Sequence, residues 1–230
     1  MTHPIISFSV APASAAIAGS ATRFPVRRVF CIGRNYAEHA AEMGASVDRG
    51  NPVFFCKPAD AIVADGAEIP YPQATQELHH EVEMVVALHS GGTDIAEADA
   101  LAHVFGYAVG LDLTRRDLQA VAKAKGMPWD TAKAFDHSAP LSSIRAAAEI
   151  GHPQNAPLTL EVNGRLRQQS DIAQMIFSVP EILARLSRLF ELKAGDLVFT
   201  GTPAGVGPLL RGDAFHACLG GLAELRGRIC

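Results

Sequence analysis

This sequence predicts a β-rich α+β fold, and three observations carry that expectation. Short runs rich in Val, Ile, Leu and Phe recur along the chain and are closed off by Gly, Pro or Asn. Asn163-Gly164, set between Leu158–Val162 and Arg165–Gln168, is the signature of a tight antiparallel hairpin with a type I′ turn. Helical periodicity is confined to a few short segments.

The chain has 230 residues, 48% of them hydrophobic and 19% charged, with a net charge of −4. That is enough apolar material for one sizeable core. Residues 1–23, rich in Ala, Ser and Pro, read as an arm with a short strand around Ile5–Val10, and residues 24–230 as a single domain. Arg27-Arg28 and Arg115-Arg116 are only pairs, so no nucleic-acid partner is expected. No apolar run reaches the length of a membrane span, and no secretory signal is expected at the start. Cys31, Cys56, Cys218 and Cys230 are widely spaced and suit free thiols in a reducing cytoplasm.

Val26–Ile32 reads as a strand, running into a short helix within residues 33–44 that stops at Gly44. His39 and Glu42 are three apart and share a face of that helix. A carboxylate beside an imidazole fixes its tautomer and raises its basicity, as a general base requires; a solvated surface pair has the same spacing. The glycine-bounded helix could move as a lid. Asn51-Pro52 opens the strand Val53–Cys56, with Lys57 as a strand-end charge. Ile69–Pro72 is an extended approach to the next strand.

Leu78–Leu88 reads as one strand. Side chains alternate faces, so Glu81 and Glu83 point the same way, roughly 7 Å apart, and Val82 and Met84 the other. Two like charges on one face resist burial, so that face is either in water or shared with a cation. Asp112, closing the strand Phe105–Leu113, is a third acid of the same kind. Oxygen-only ligands at the ends of apolar strands suit Mg²⁺, or Mn²⁺. His79 and His80 flank the acids and are expected to bond to backbone.

Ala96–Val104 is helical in pattern. Thr114 with Asp117 reads as a capping box opening a helix to about Lys125, stopped by Gly126. Arg116 and Gln119 share its first face and can offer donors to a developing oxyanion, or can be ordinary exposed polarity. Residues 127–140 form a loop holding the only tryptophan, Trp129, and the lone cation Lys133. Ser178 with Glu181 is a second capping box with Pro180 in the first turn; the helix it opens should bury Ile182, Leu183, Leu186, Leu189 and Phe190. Leu197–Thr200 is a strand leading into the glycine-rich Gly201–Pro208, which lacks the Gly-Lys-Ser/Thr of a P-loop. Its glycines allow backbone N–H groups to approach an anion, and Thr200 and Thr202 can donate to a carboxylate. Gly212–Cys230 reads as closing strands.

In series, G-R-N-Y-A-E-H-A-A-E-M-G, H-H-E-V-E, G-L-D-L-T-R-R-D-L-Q, P-W-D-T-A-K-A-F-D-H-S-A-P, V-N-G and F-T-G-T-P-A-G-V-G-P resemble the fumarylacetoacetate hydrolase superfamily from about Phe24 to Asp213. The short form is similar to bacterial fumarylpyruvate hydrolases of gentisate breakdown. The resemblance implies a mixed, rolled β-sheet fold with flanking helices, usually a homodimer. It implies Glu81, Glu83 and Asp112 as metal ligands, His39 and Glu42 as a water-activating lid dyad, Arg116, Gln119 and the catalytic Lys133 as the groups that hold the substrate's oxygens, and Thr202 as a further substrate contact. The implied reaction is metal-dependent hydrolysis of the C–C bond of an acylpyruvate, a small 2-oxo acid. Decarboxylation of oxaloacetate or isomerisation of a 2-oxo diacid uses the same centre, and a silent metal-binding scaffold is the non-enzymatic alternative.

Overall fold

A computed structural model describes residues 11–42, 50 and 52–230. The Ile5–Val10 strand and the Gly44 helix stop lie outside these residues. The chain forms mixed, rolled β-sheets with few helices, the β-rich α+β fold the sequence predicts.

The central sheet runs in space Val53–Lys57, Arg28–Gly33, Asp196–Phe199, Val82–Leu88, Val104–Leu111, Ala139–Leu141, Ile62–Ala64, with Arg145–Ala146 also joined to Val104–Leu111. Asp196–Phe199 runs parallel to Arg28–Gly33 and antiparallel to Val82–Leu88, which makes the sheet mixed. A second sheet runs Arg165–Asp171, Pro157–Val162, Ala214–Leu219, Ala223–Ile229, Ala67–Ile69. Its hairpin turns at Asn163 and Gly164, both at positive φ (52° and 70°), as a type I′ turn demands.

Strand alternation splits the interior in two. Val82, Met84, Val86 and Leu88 join Leu158, Leu160, Leu219 and Leu225 of the second sheet in one core. Val85 and Ala87 face the other way, onto Val29, Cys31, Ala108 and Phe199. Val82–Leu88 is therefore buried on both faces, and Glu83 lies on the face of Val85. In the described part of the arm, Ser14–Ala16 pairs with Arg23–Pro25, and Ala15 and Phe24 pack into the second core.

Several local expectations meet tertiary structure. Leu78–Leu88 is two strands, Leu78–His80 and Val82–Leu88, with Glu81 at the break. The first belongs to a small ribbon with Thr114–Arg115 and Gly207–Pro208. The helix Arg116–Lys125 ends at Gly126 (φ 63°), but its capping box does not form. Thr114 Oγ1 donates to Asp112 O, and Asp117 accepts from Thr75, the Gln76 N–H and the Leu118 N–H. At Val179–Leu189 the Ser178–Glu181 box does form, but Leu189 and Phe190, expected to be buried, are 64% and 38% exposed, since the core-facing stripe ends at Leu186 and Ser187. Residues 97–103 form 3₁₀ turns, and the 215–218 segment is regular strand.

Candidate active site

The two long central strands bring the acids together. Val82–Leu88 and Val104–Leu111 pair antiparallel with Val82 opposite Leu111, so Glu81 and Asp112 meet just past the ends of the ladder. The Asp112 N–H donates to Glu81 O (2.9 Å) and fixes that junction. Ligand atoms of Glu81, Glu83 and Asp112 lie within 4.8 Å of one another, and all three residues are buried.

Basic groups close around them. Lys133, on the turn of helix Asp130–Lys133, donates to Glu81 Oε2 (2.8 Å), Asp112 Oδ2 (2.6 Å) and Thr114 Oγ1 (2.6 Å). All three of its N–H bonds are thereby in use. Arg116 donates to Glu81 Oε1, to Gln119 Oε1 and to His79 Nδ1 (3.4 Å). Lys57 places Nζ 2.8 Å from Asp112 Oδ1 and also donates to Leu113 O and Lys133 O.

The acids respond differently to this setting. Burial pushes Glu81 upward, but Lys133, Arg116 and His39 outweigh it and hold its carboxyl below the usual carboxylate range. Glu83 is pushed well above that range, first by burial and then by Asp112 and Glu81, with Lys133 and the Gly201 N–H opposing. A divalent cation among these oxygens would offset the repulsion, and an all-carboxylate donor set suits a hard ion. The residues fit such a group. A second cluster, His216, Cys218 and Glu224, differs in burial and donor chemistry: it is partly exposed and offers one nitrogen, one sulfur and one carboxylate, with Arg226 Nη2 2.9 Å from Glu224 Oε2 and 3.2 Å from His216 Nε2.

His39 lies on the helix Ala37–Glu42 and borders the same cleft. Its Nδ1 stands 3.5 Å from Glu42 Oε2, an ion-pair separation longer than a good hydrogen bond. Burial lowers its pKa, while Glu81 and Glu42 pull it upward. Glu42 also accepts from the Gly205 N–H (3.2 and 3.3 Å), which ties the helix to the glycine-rich loop.

That loop corrects one expectation. The N–H groups of Gly201 and Gly205 do meet anions, but these are the chain's own Glu83 (2.6 Å) and Glu42. A Cβ on Gly201 (φ 92°) would lie 2.7 Å from Asn35 Cβ, and one on Gly205 (φ 91°) 2.3 Å from Arg167 O. The loop can pack this tightly at both points only without side chains there. The structure also separates the two threonines: Thr200 Oγ1 donates to Met84 O (2.9 Å) within the core, whereas Thr202 borders the cleft.

One cleft is lined by Glu81, Glu83, Asp112, His39, Arg116, Gln119, Lys133 and Thr202. Glu42 touches it only through His39. Three residues outside the expected site set support its walls through their bonds. Lys57, read as a strand-end charge, is 2% exposed. Asn35 bonds Phe177 O, Thr200 O and the Phe177 N–H. Gln168 accepts from the Val82 N–H, contacts His80 Nδ1, and donates to Thr202 Oγ1 and Pro203 O. His79 and His80, both expected to bond to backbone, thus meet side chains instead, Arg116 and Gln168. The available signal in the sequence was a lysine ending an apolar strand before proline; nothing local distinguishes Gln168 from Gln169 beside it.

The fumarylacetoacetate (FAA) hydrolase C-terminal family matches residues 28–230. A fumarylpyruvate hydrolase from Pseudomonas aeruginosa, solved in complex with Mn²⁺ and pyruvate, is 51% identical, with a TM-score of 0.95 over 98% of this chain and 99% of that one. The oxaloacetate tautomerase YcgM of Escherichia coli (strain K12) is 45% identical over 196 residues, 85% of this chain and 89% of its own. The mitochondrial oxaloacetate tautomerase FAHD1 of Mus musculus is 42% identical over 203 residues, 88% and 91% of the two chains. Among the described residues, no helix is long and apolar enough to cross a membrane.

Proposed function

This chain belongs to the fumarylacetoacetate hydrolase family, and from that premise we propose that it hydrolyses the C–C bond of an acylpyruvate, with fumarylpyruvate giving fumarate and pyruvate. The observation that carries the reading is the His39–Glu42 pair (3.5 Å) set at the same cleft as the three acids. A hydrolase needs both an acceptor for a water proton and a centre for an anionic leaving fragment, and this cleft holds candidates for each.

Glu81, Glu83 and Asp112 would hold Mg²⁺ or Mn²⁺. When bound, such an ion supplies Lewis-acid polarisation of the 2-oxo acid and spreads the charge of the departing fragment. His39, neutral because it is buried, takes a proton from water, and Glu42 orients the ring and stabilises the imidazolium. The resulting hydroxide adds to the distal carbonyl carbon. Arg116, and the Gln119 amide nitrogen left free by its Oε1 contact, donate to the oxyanion. Lys133, now bonded to Glu81 Oε2 and Asp112 Oδ2, would have N–H groups to offer the same oxyanion if a cation held those carboxylates in its place. As the C–C bond breaks, the pyruvyl carbon leaves with the electron pair and takes up the proton held on His39.

A second reading, tautomerisation of oxaloacetate, is favoured by the names of the Escherichia coli and mouse relatives. It uses proton transfer without attacking water. Side-by-side assays of fumarylpyruvate, acetylpyruvate and oxaloacetate, with and without chelator, decide between them. Chelator-sensitive release of pyruvate with fumarate supports hydrolysis; enol–keto exchange of oxaloacetate with no fragmentation of any acylpyruvate overturns it.

A further inference from the structure

Two cations on the cleft wall have no acidic partner among the described residues. Arg34 and Lys123 both line the cleft, and among the described residues neither has an ion pair or a side-chain hydrogen bond. The other two cations of the wall are committed, Arg116 to Glu81 and Lys133 to Glu81 and Asp112, and Lys57 behind them is bound to Asp112.

Their placement follows from the backbone. Arg116, Gln119 and Lys123 stand at i, i+3 and i+7 of one helix, hence on one stripe, and all three reach the cleft. Lys123 Nζ lies over the Trp129 ring, 5.2 Å from its centre, and Trp129 pairs with Phe55 at 5.9 Å between centroids. Arg34 holds φ 61°, a costly conformation for a residue with a side chain, kept in place by the neighbouring Asn35 clamp. Positive charge is crowded here: burial first, then Arg116, Arg34 and Lys133, push the Lys123 pKa down to about 8, with only Glu81 opposing. A bound anion would relieve that crowding.

Resting on the acylpyruvate reading, the 2-oxo acid end belongs beside the three acids and their cation. We propose that Arg34 and Lys123 form a subsite for a second carboxylate at the far end of the acyl group, with the tilted Phe55–Trp129 ring pair as an apolar wall for the unsaturated chain between. The enzyme then selects dicarboxylic acylpyruvates over those with a neutral acyl end.

The test measures kcat/KM of the Mn²⁺-loaded enzyme for fumarylpyruvate and for acetylpyruvate, which lacks the second carboxylate. The variants are Lys123→Met, Lys123→Arg and Arg34→Asn, asparagine being tolerant of left-handed backbone. In Lys123→Met and Arg34→Asn the fumarylpyruvate-to-acetylpyruvate ratio should fall by roughly tenfold to a hundredfold, the range a charged hydrogen bond commands, and Lys123→Arg should retain most of it. An unchanged ratio in both charge-removing variants overturns the subsite, however much overall turnover drops. If the unsubstituted enzyme cleaves neither substrate, the acylpyruvate reading fails by itself. The subsite is then judged by calorimetry of fumarate binding to the Mn²⁺-loaded protein. A Kd about tenfold weaker in both variants supports it; equal Kd values, or no binding to the unsubstituted protein, overturn it.

Discussion

Lys57 Nζ and Asp112 Oδ1 are 2.8 Å apart, with side chains 0% and 1% exposed. Removing one partner of a buried ion pair strands the other charge and typically costs about 3–5 kcal/mol. Lys57→Met should therefore melt well below the unsubstituted protein. Mn²⁺ should recover part of the loss, because a cation at the acids replaces the missing charge. Melting curves with and without Mn²⁺ check this; coincidence of variant and parent under both conditions would remove Lys57 from the charge balance.

Glu83→Gln keeps the shape of the side chain and its acceptor for the Gly201 N–H. The Glu83 carboxyl is pushed upward chiefly by burial and then by the neighbouring acids, so the neutral amide should cost the metal-free fold little. A ligand stabilises the state that binds it. The rise in Tm on adding Mn²⁺, and metal-dependent turnover, should both disappear in this variant. A full Mn²⁺ shift in Glu83→Gln would move the ion elsewhere.

What the sequence made legible was local. Glu81 and Glu83 follow from strand alternation, and His39 with Glu42 from helical spacing. Asn35 was hidden because the backbone groups it clamps belong to Phe177 and Thr200, 142 and 165 positions away. Lys57 was hidden likewise, its role arising only when the sheet carries it to Asp112. Where a local rule failed, a stronger tertiary demand took the side chain. Thr114, positioned to cap a helix, gives its oxygen to Lys133 instead.

Acid should loosen the fold through His79. Burial first, then Arg116 and His80, hold its pKa down to about 4, against about 6.5 for an unfolded chain. Between those values the unfolded state binds more protons, so stability is intact above about pH 6.5 and declines as pH falls toward 4. His79→Asn, which keeps an acceptor near Arg116, should flatten this limb in a plot of Tm against pH. Parallel curves for variant and parent would assign the acid lability to other groups.

The dyad makes a kinetic prediction with a defined sign. A general base acts only when unprotonated, so the acid limb of kcat/KM reports the His39 pKa in the free enzyme. Burial lowers that pKa from its ordinary value, whereas Glu81 and Glu42 raise it. The limb should fall below about pH 6.5, and Glu42→Gln, by removing one of the raising charges, should move it further toward acid. His39→Ala should lower kcat by roughly two to four decades while Mn²⁺ still raises Tm, because the side chain is not among the acids that would hold the ion. Hydrolysis at an undiminished rate in His39→Ala would assign the ring to packing under the helix and leave the water without its base.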